Sequence, residues 1–463
     1  MRYVVLATDY DGTLASQGKV EPKVLAALER FRREGRVLIL VTGRELDELL
    51  AIFPEITLFH RVVAENGGLL YCPQSGKQRV LGEPPSSEFV HTLIDRGVQP
   101  LSIGRSIVAT FEPNESTVLA TIRDLGLELQ VIFNKGAVMV LPAGVNKATG
   151  LAEALEDLSL SMRNVVAIGD AENDHAMLRA SEFGVAVANA LPSLMEEADH
   201  TSMQRHGDAV AETMEWVLRD DLSRVSRRSE RRPLRLGTRL DGTPLTLPEA
   251  QSTLLLTGPD TQRVLNYLSL LVEQLLGYGY QVCIVDFEGS LARTHGTITL
   301  GTKERLPTVE EVRVALFDSP TESVVVNLKG QEPVARDVFV VSLVQECEKL
   351  RRTHGRPHWC IFANAPQENL ADLYSRSQEG RAPSAMLYAG VDLDSAQFLG
   401  PAVAIAPGSL RSLKANGGVN DDPRDLEGVE AAFWSNVQDD HPIAFTPQLP
   451  TSSTLVADLL PRS

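Results

Sequence analysis

Three short runs, "YVVLATD" (Tyr3–Asp9), "VLILVTG" (Val37–Gly43) and "VVAIGD" (Val165–Asp170), are apolar almost without interruption and stop at a polar residue or a glycine. A strand with one wet face alternates apolar and polar residues, so uninterrupted runs of this length imply strands covered on both faces, as in a parallel sheet. Helical patterns lie between them. In 22–34, for example, Val24, Leu25, Leu28 and Phe31 form one stripe. The first 220 residues therefore read as a βαβ series, an α/β doubly wound sheet. Ligands of such sheets bind just beyond the carboxyl ends of the strands.

The polar residues at those ends are of a particular kind. "ATDYDGTL" puts Asp9 and Asp11 after the first run, and alternation sends both carboxylates the same way with Tyr10 opposite. Two converging carboxylates can hold a divalent cation, or divide into nucleophile and acid/base. "LVTGR" ends with Thr42 and Gly43, a hydroxyl and a free backbone N–H suited to a phosphoryl oxygen. "GVNKATGL" places Lys147 at a helix start as a point charge, and "AIGDAENDHAML" ends another strand with Asp170, Asn173 and Asp174. His175 reads as a helix-surface residue.

Over about residues 1–220, these four segments, "DYDGT", "VTGR", Lys147 and "GDAEND", resemble the haloacid dehalogenase superfamily. The resemblance implies a Rossmann-like (Rossmannoid) parallel sheet and Mg²⁺-dependent phosphoryl chemistry. It implies Asp9 as nucleophile and Asp11 as acid/base, with magnesium between Asp9, the Asp11 carbonyl and Asp170. Asn173 and Asp174 would support the metal shell, and Thr42, Gly43 and Lys147 would bind the phosphoryl group. An Asp at position 11, where ion-pumping relatives carry Thr, points to a phosphatase or a mutase.

Between "VTGR" and Lys147 the texture changes. Residues about 82–142 read as αββαββ, a small α+β cap inserted in the position found in Cof-like, type IIB relatives such as sucrose-phosphatase-like members; "AENGGLLY" just before it is also typical of that branch. A cap excludes water and chooses the leaving group. Arg105, Asn134 and Lys135 fall near its strand ends and are the candidate substrate contacts.

From Arg219 to Arg239 eight arginines face Asp220, Asp221 and Glu230, and 221–235 reads as a solvated linker. A second α/β series occupies 236–463 and ends in an irregular tail. Over about 234–400 it resembles the HerA/FtsK-like branch of the P-loop ATPases: "LLLTGPDTQRVL" for the phosphate loop, then "QVCIVDFEGS", "SVVVNLKG" and "RPHWCIFANAP". The phosphate lysine and its neighbouring hydroxyl are missing after Gly258, and Ala363-Asn364-Ala365 stands where metal and base carboxylates belong. The resemblance thus implies a degenerate P-loop domain without hydrolysis. Asp286 and Glu288 read as turn residues, and homo-oligomer assembly is the expected role.

At 463 residues, two or three domains are expected. No apolar run nears the ~18 residues that cross a bilayer, and Asp9 and Asp11 come too early for a secretory leader. Four cysteines without metal spacing suit a reducing cytoplasmic setting. A net charge of −17 speaks against nucleic acid as a general partner while leaving room for a local patch. The expected protein is a Mg²⁺-dependent phosphatase of a small phosphorylated metabolite, a sugar or polyol phosphate first. The alternatives are an assembly protein whose phosphatase acts on a macromolecule, and a phosphomutase.

Overall fold

The computed structural model describes residues 1–228, 231–247, 254–258, 260–292, 294–366, 385–389, 402–405, 431–434 and 443–447. Two compact units divide the chain: Tyr3–Ser229, and Glu230–Ser463 with Met1–Arg2. Among the described residues, no helix is long and apolar enough to cross a membrane.

The first unit is built on an eight-stranded sheet. Its order is His200–Thr201, Phe183–Ala186, Val165–Gly169, Val5–Thr8, Val37–Val41, Arg61–Ala64, Leu69–Cys72, Lys77–Val80. The first six strands are parallel; the last two turn back antiparallel as hairpins on the edge. Val5–Thr8 is central and fully buried, pairing Thr8 with Ile168 on one side and with Leu40 on the other. That register brings the residues just after three strands, Asp9, Asp170 and Thr42, to one edge of the sheet.

Helices cover both faces. Pro22–Arg33 opens on a proline at its first turn, where no N–H is missed, and buries Val24, Leu28 and Phe31 at helical spacing. Each such side chain stabilises by about 1.5–3 kcal/mol when fully buried. Three arginines in its last turn suit the negative end of the helix dipole.

The cap has the expected αββαββ order. Helices Ser87–Asp95 and Glu115–Asp124 pack on a four-stranded antiparallel sheet ordered Ser102–Ile103, Val108–Phe111, Ala137–Pro142, Leu129–Asn134. One face of this sheet forms its core with Phe89, Leu93 and Val118; the other gathers Ile107, Met139 and Leu141.

The 221–228 segment departs from a solvated linker. Leu222 is buried, the Arg227 guanidinium stacks 4.9 Å from the Phe183 ring centre and donates to Tyr3 Oη at 2.6 Å, and the Arg228 N–H donates to the Asp199 carbonyl at 2.7 Å. An aromatic face and a hydroxyl give the Arg227 guanidinium partners within the first unit.

The second unit holds an eleven-stranded sheet. Seven parallel strands run in the order Ala402–Ile405, Leu254–Thr257, Ala385–Ala389, Trp359–Ala363, Val282–Asp286, Ser323–Asn327, Thr297–Leu300, and four antiparallel strands extend the Ala402–Ile405 side. Alternate residues enter two cores, Leu254, Val282 and Ile361 on one face and Leu255, Cys283 and Phe362 on the other, which is why these runs read as apolar throughout. The tail after about residue 405, expected to be irregular, instead supplies two strands of this sheet, Ala431–Trp434 and Ile443–Pro447, because these short apolar runs pair with Ala402–Ile405 and Leu234–Arg239; the remainder of the tail lies outside the described residues.

Candidate active site

The site is assembled at the carboxyl ends of the parallel strands of the first unit. Asp9 follows Val5–Thr8 and is nearly enclosed. Lys147 comes from the far side of the cap insertion. It opens the helix Lys147–Glu156, whose start is fixed by Asn146: its Oδ1 accepts from the Ala148 and Thr149 N–H groups, and Thr149 Oγ1 accepts from the Asn146 N–H in return. The Lys147 side chain, 1% exposed, donates to Asp9 Oδ1 at 2.6 Å and to Asp174 Oδ1 at 2.7 Å.

Asp174 is held from its other oxygen, which accepts the Asp170 and Ala171 N–H groups at 2.9 and 3.0 Å. Asp170 in turn accepts from Thr13 Oγ1 at 2.9 Å and from Lys135 Nζ at 2.5 Å. Carboxylate oxygens of Asp9, Asp170 and Asp174 lie within 4.8 Å of one another.

Crowding of buried carboxylates sets the electrostatics. Burial pushes the Asp9 carboxyl up to about 8; the Lys147 ammonium opposes this, and the charges of Asp174 and Asp170 add to it. Burial also raises Asp170, against the pull of Lys135. For Lys147 burial disfavours the charge, but Asp174 and Asp9 outweigh it and raise the ammonium above its ordinary value.

The donor set fits a hard divalent cation. Asp9 keeps one oxygen uncommitted to Lys147, and Asp170 Oδ2 and the Asp11 carbonyl both face the Lys135 ammonium, the latter at 3.4 Å. Asp174 has both oxygens engaged on Lys147 and on backbone N–H groups, which suits it to support rather than ligate, although it stands close enough to count among the three acids.

Thr42 is buried at the end of Val37–Val41, its Oγ1 accepting the Arg44 N–H at 3.1 Å. Beside Gly43, a Cβ would make ordinary contact with Asn173 Nδ2 at 3.5 Å and with Met139 Sδ at 3.6 Å, so an apolar cap residue lies over this glycine. Asn173 Nδ2 donates to Asn66 Oδ1 at 2.9 Å. Among the cap residues, Lys135 reaches the acids. Arg105 does not; it pairs with Asp47 at 3.2 Å on the outside of the first unit. Asn134 is partly buried one residue from Lys135, and its Oδ1 is enclosed without a partner. His175 meets Glu197 rather than the acids.

Two contributions to the site carry no local sequence signal. Arg44 forks onto Asp11, Nε to Oδ2 at 2.6 Å and Nη2 to Oδ1 at 2.8 Å, occupying both oxygens of that carboxylate. The residue was in view in "VTGR", but its reach to Asp11 was not. Glu65 and Asn66 both have positive φ, +51° and +55°, which non-glycine residues seldom adopt. The strain tucks Glu65 beneath the cap, where its Oε2 accepts the Ser106 N–H at 2.6 Å. Close packing also accounts for the doubled glycines of "AENGG": a Cβ at Gly67 would lie 2.0 Å from the Asn146 carbonyl oxygen, and one at Gly68 2.6 Å from the Ser106 side chain.

Known proteins place this half of the chain. Residues 6–99 and 113–214 match the model of a family described as haloacid dehalogenase-like hydrolase. A phosphoglycolate phosphatase from Methanothermobacter thermautotrophicus is 33% identical over 218 residues, 45% of this chain and 96% of that protein. Phosphoglycolate phosphatase 2 from Saccharolobus solfataricus is 29% identical over 224 residues, 46% of this chain and 92% of its own. A solved haloacid dehalogenase-like hydrolase from Bacteroides thetaiotaomicron aligns with 46% of this chain and 99% of its own, at 20% identity and a TM-score of 0.41. With a relative at one-third identity matched over nearly its whole length, the chain belongs to the haloacid dehalogenase-like hydrolases, as an enzyme of the phosphatase type.

Proposed function

We propose that the first unit is a Mg²⁺-dependent phosphomonoester hydrolase that works through an aspartyl-phosphate on Asp9. The observation that carries this is the buried Asp9–Lys147–Asp174 chain, which holds Asp9 in place at one oxygen and leaves the other uncommitted. Bound between Asp9, the Asp11 carbonyl and Asp170, magnesium would supply charge neutralisation for the phosphoryl oxygens.

The chain's own residues supply the remainder. Thr42, the Gly43 N–H and Lys147 bind and orient the phosphoryl group, and Met139 with the rest of the cap excludes water. Asp9 attacks phosphorus as the bond to the leaving oxygen breaks, and Asp11 delivers a proton to that oxygen. Water then attacks the phosphorus of the acyl phosphate, gives its proton to Asp11, and frees Asp9 and inorganic phosphate. Asp11 can turn to this task only after Arg44 loosens its fork, so Arg44 sets when the acid is available.

For substrate, a small phosphorylated hydroxy acid stands ahead of the sugar or polyol phosphate expected from the cap type. Two relatives are named for phosphoglycolate, and Lys135, the cap residue at the acids, is a cation suited to a carboxylate. A phosphomutase would use the same Asp9 and Asp11 and return the phosphoryl group to product.

The second unit, on this proposal, is a P-loop-like scaffold for assembly that does not hydrolyse nucleotide. Leu254–Thr257 leads through Gly258 to the helix Thr261–Gly277, and Asp260 Oδ1 accepts the Gln262 and Arg263 N–H groups at 2.9 and 3.2 Å. A carboxylate thus takes donors that a phosphate would use. Asp286 is spent likewise on the N–H groups of Glu288, Gly289 and Leu291.

The test is phosphate release from phosphoglycolate, sugar phosphates, nucleotides and an aryl phosphate, with Mg²⁺ or EDTA, for wild type and Asp9→Asn. Turnover that needs Mg²⁺, is greatest on phosphoglycolate and vanishes in Asp9→Asn is expected. Turnover that survives Asp9→Asn would overturn the nucleophile, and preference for a sugar phosphate would overturn the substrate.

A further inference from the structure

The cap touches the acidic cluster through one hairpin tip. Lys135 joins Leu129–Asn134 to Ala137–Pro142 with φ of +49°, and its N–H points to Glu172 Oε2 at 3.4 Å, on the loop that carries Asp170. Its ammonium rests 2.5 Å from Asp170 Oδ2 and 3.4 Å from the Asp11 carbonyl. These are two of the atoms that the proposed function gives to magnesium, and this inference rests on that assignment.

We propose that Lys135 is a tethered competitor of the divalent cation, so that metal loading requires withdrawal of the cap's hairpin tip. An ammonium and a Mg²⁺ ion cannot share Asp170 Oδ2 at bonding distance, since each excludes the other by charge and by size. The chain is shaped to let the lysine in. Gly12, at φ +91°, leaves the space where a Cβ would stand 2.7 Å from Lys135 Nζ and 2.3 Å from Asp170 Oδ2. Asp170 is 1% exposed while the Lys135 side chain is about half exposed, 47%, so the lysine closes the acid from solvent while its own stem remains free to swing out. With Lys147 alone, three acids would face one cation; Lys135 brings a second charge, and Mg²⁺ in its place would bring two.

A coupling follows. Any anion on the leaving group that draws Lys135 away from Asp170 strengthens metal binding, and by linkage the metal strengthens the binding of that anion by the same factor. A phosphorylated carboxylic acid would therefore help to load its own metal, whereas an uncharged leaving group would not.

The test is calorimetric titration of Mg²⁺ onto the full chain without substrate, for wild type, Lys135→Asn, Lys135→Arg and Asp170→Asn. Asn tolerates the positive φ at the turn, and the hairpin tip is exposed, so folding is not at stake. Lys135→Asn is expected to bind Mg²⁺ about fivefold or more tightly than wild type, and Lys135→Arg within about twofold of it, as loss or retention of one competing ion pair dictates. Unchanged or weaker binding in Lys135→Asn, with Asp170→Asn unable to bind, would overturn the competition while leaving the metal site standing. Wild-type binding by Asp170→Asn would instead overturn the metal site and this inference with it.

Discussion

Lys147 is the residue whose removal should be felt most. Lys147→Met keeps the length and packing of the stem and deletes the charge. Two carboxylates, Asp9 and Asp174, then lose their shared cation inside the protein. Breaking a buried pair by removing one partner costs about 3–5 kcal/mol, and for a unit of this size that corresponds to a drop of about 6–20 °C in Tm. Asp9 modulates the loss. Its folded pKa, about 8, lies above the ordinary 3.8, so in the wild type the folded state loses stability as pH climbs from about 4 to about 8, where the carboxyl ionises. Below 8 Asp9 can keep its proton and needs Lys147 less; above 8 it needs it fully. Scanning calorimetry of the two proteins in EDTA should therefore show a larger gap at pH 9 than at pH 7. Adding Asp9→Asn to Lys147→Met should recover part of the gap. If no transition falls by more than about 3 °C at either pH, Lys147 is not the counter-charge of this cluster and the account of the site is wrong.

Gly12→Ala would force a Cβ to within 2.3 Å of Asp170 Oδ2 at a φ of +91°; displacing that acid by about 1 Å should lower phosphate release by about 100-fold, read as kcat at saturating Mg²⁺. Glu65→Ala leaves the Ser106 N–H without its acceptor, a cost of about 1–3 kcal/mol to the contact between cap and sheet, visible as faster amide exchange at Ser106. Mg²⁺ should raise the Tm of the wild type more at pH 8 than at pH 6, because the ion must displace the proton that burial keeps on Asp9; an equal rise at both would count against Asp9 as a ligand.

What could be read in advance follows a physical divide. Strands covered on both faces announce themselves as unbroken apolar runs, and the residues that end them, Asp9, Thr42 and Asp170, are fixed by register alone. The antiparallel edge, Leu69–Cys72 and Lys77–Val80, was not legible: the latter is exposed throughout and carries no apolar signal. Nor was the Arg44–Asp11 fork, which depends on where a long, flexible side chain comes to rest. Arg105 and Lys135 were equal candidates in sequence, both cationic and near strand ends. Only the fold separates them, by sending one to Asp47 on the outside and the other to Asp170. The arginine at 227 looked like solvated charge because nothing local shows that the Phe183 ring and the Tyr3 hydroxyl wait for it.

Asp260 bears on the second unit in another way. A helix whose first-turn N–H groups depend on an outside anion is only as firm as its ligand is abundant. The helix Thr261–Gly277 carries its own anion one residue ahead of its start, and that carboxylate accepts two of its first N–H groups. On the proposed reading of this unit, its order is expected not to depend on nucleotide. ATP, however plentiful, should leave the melting of this unit where it was.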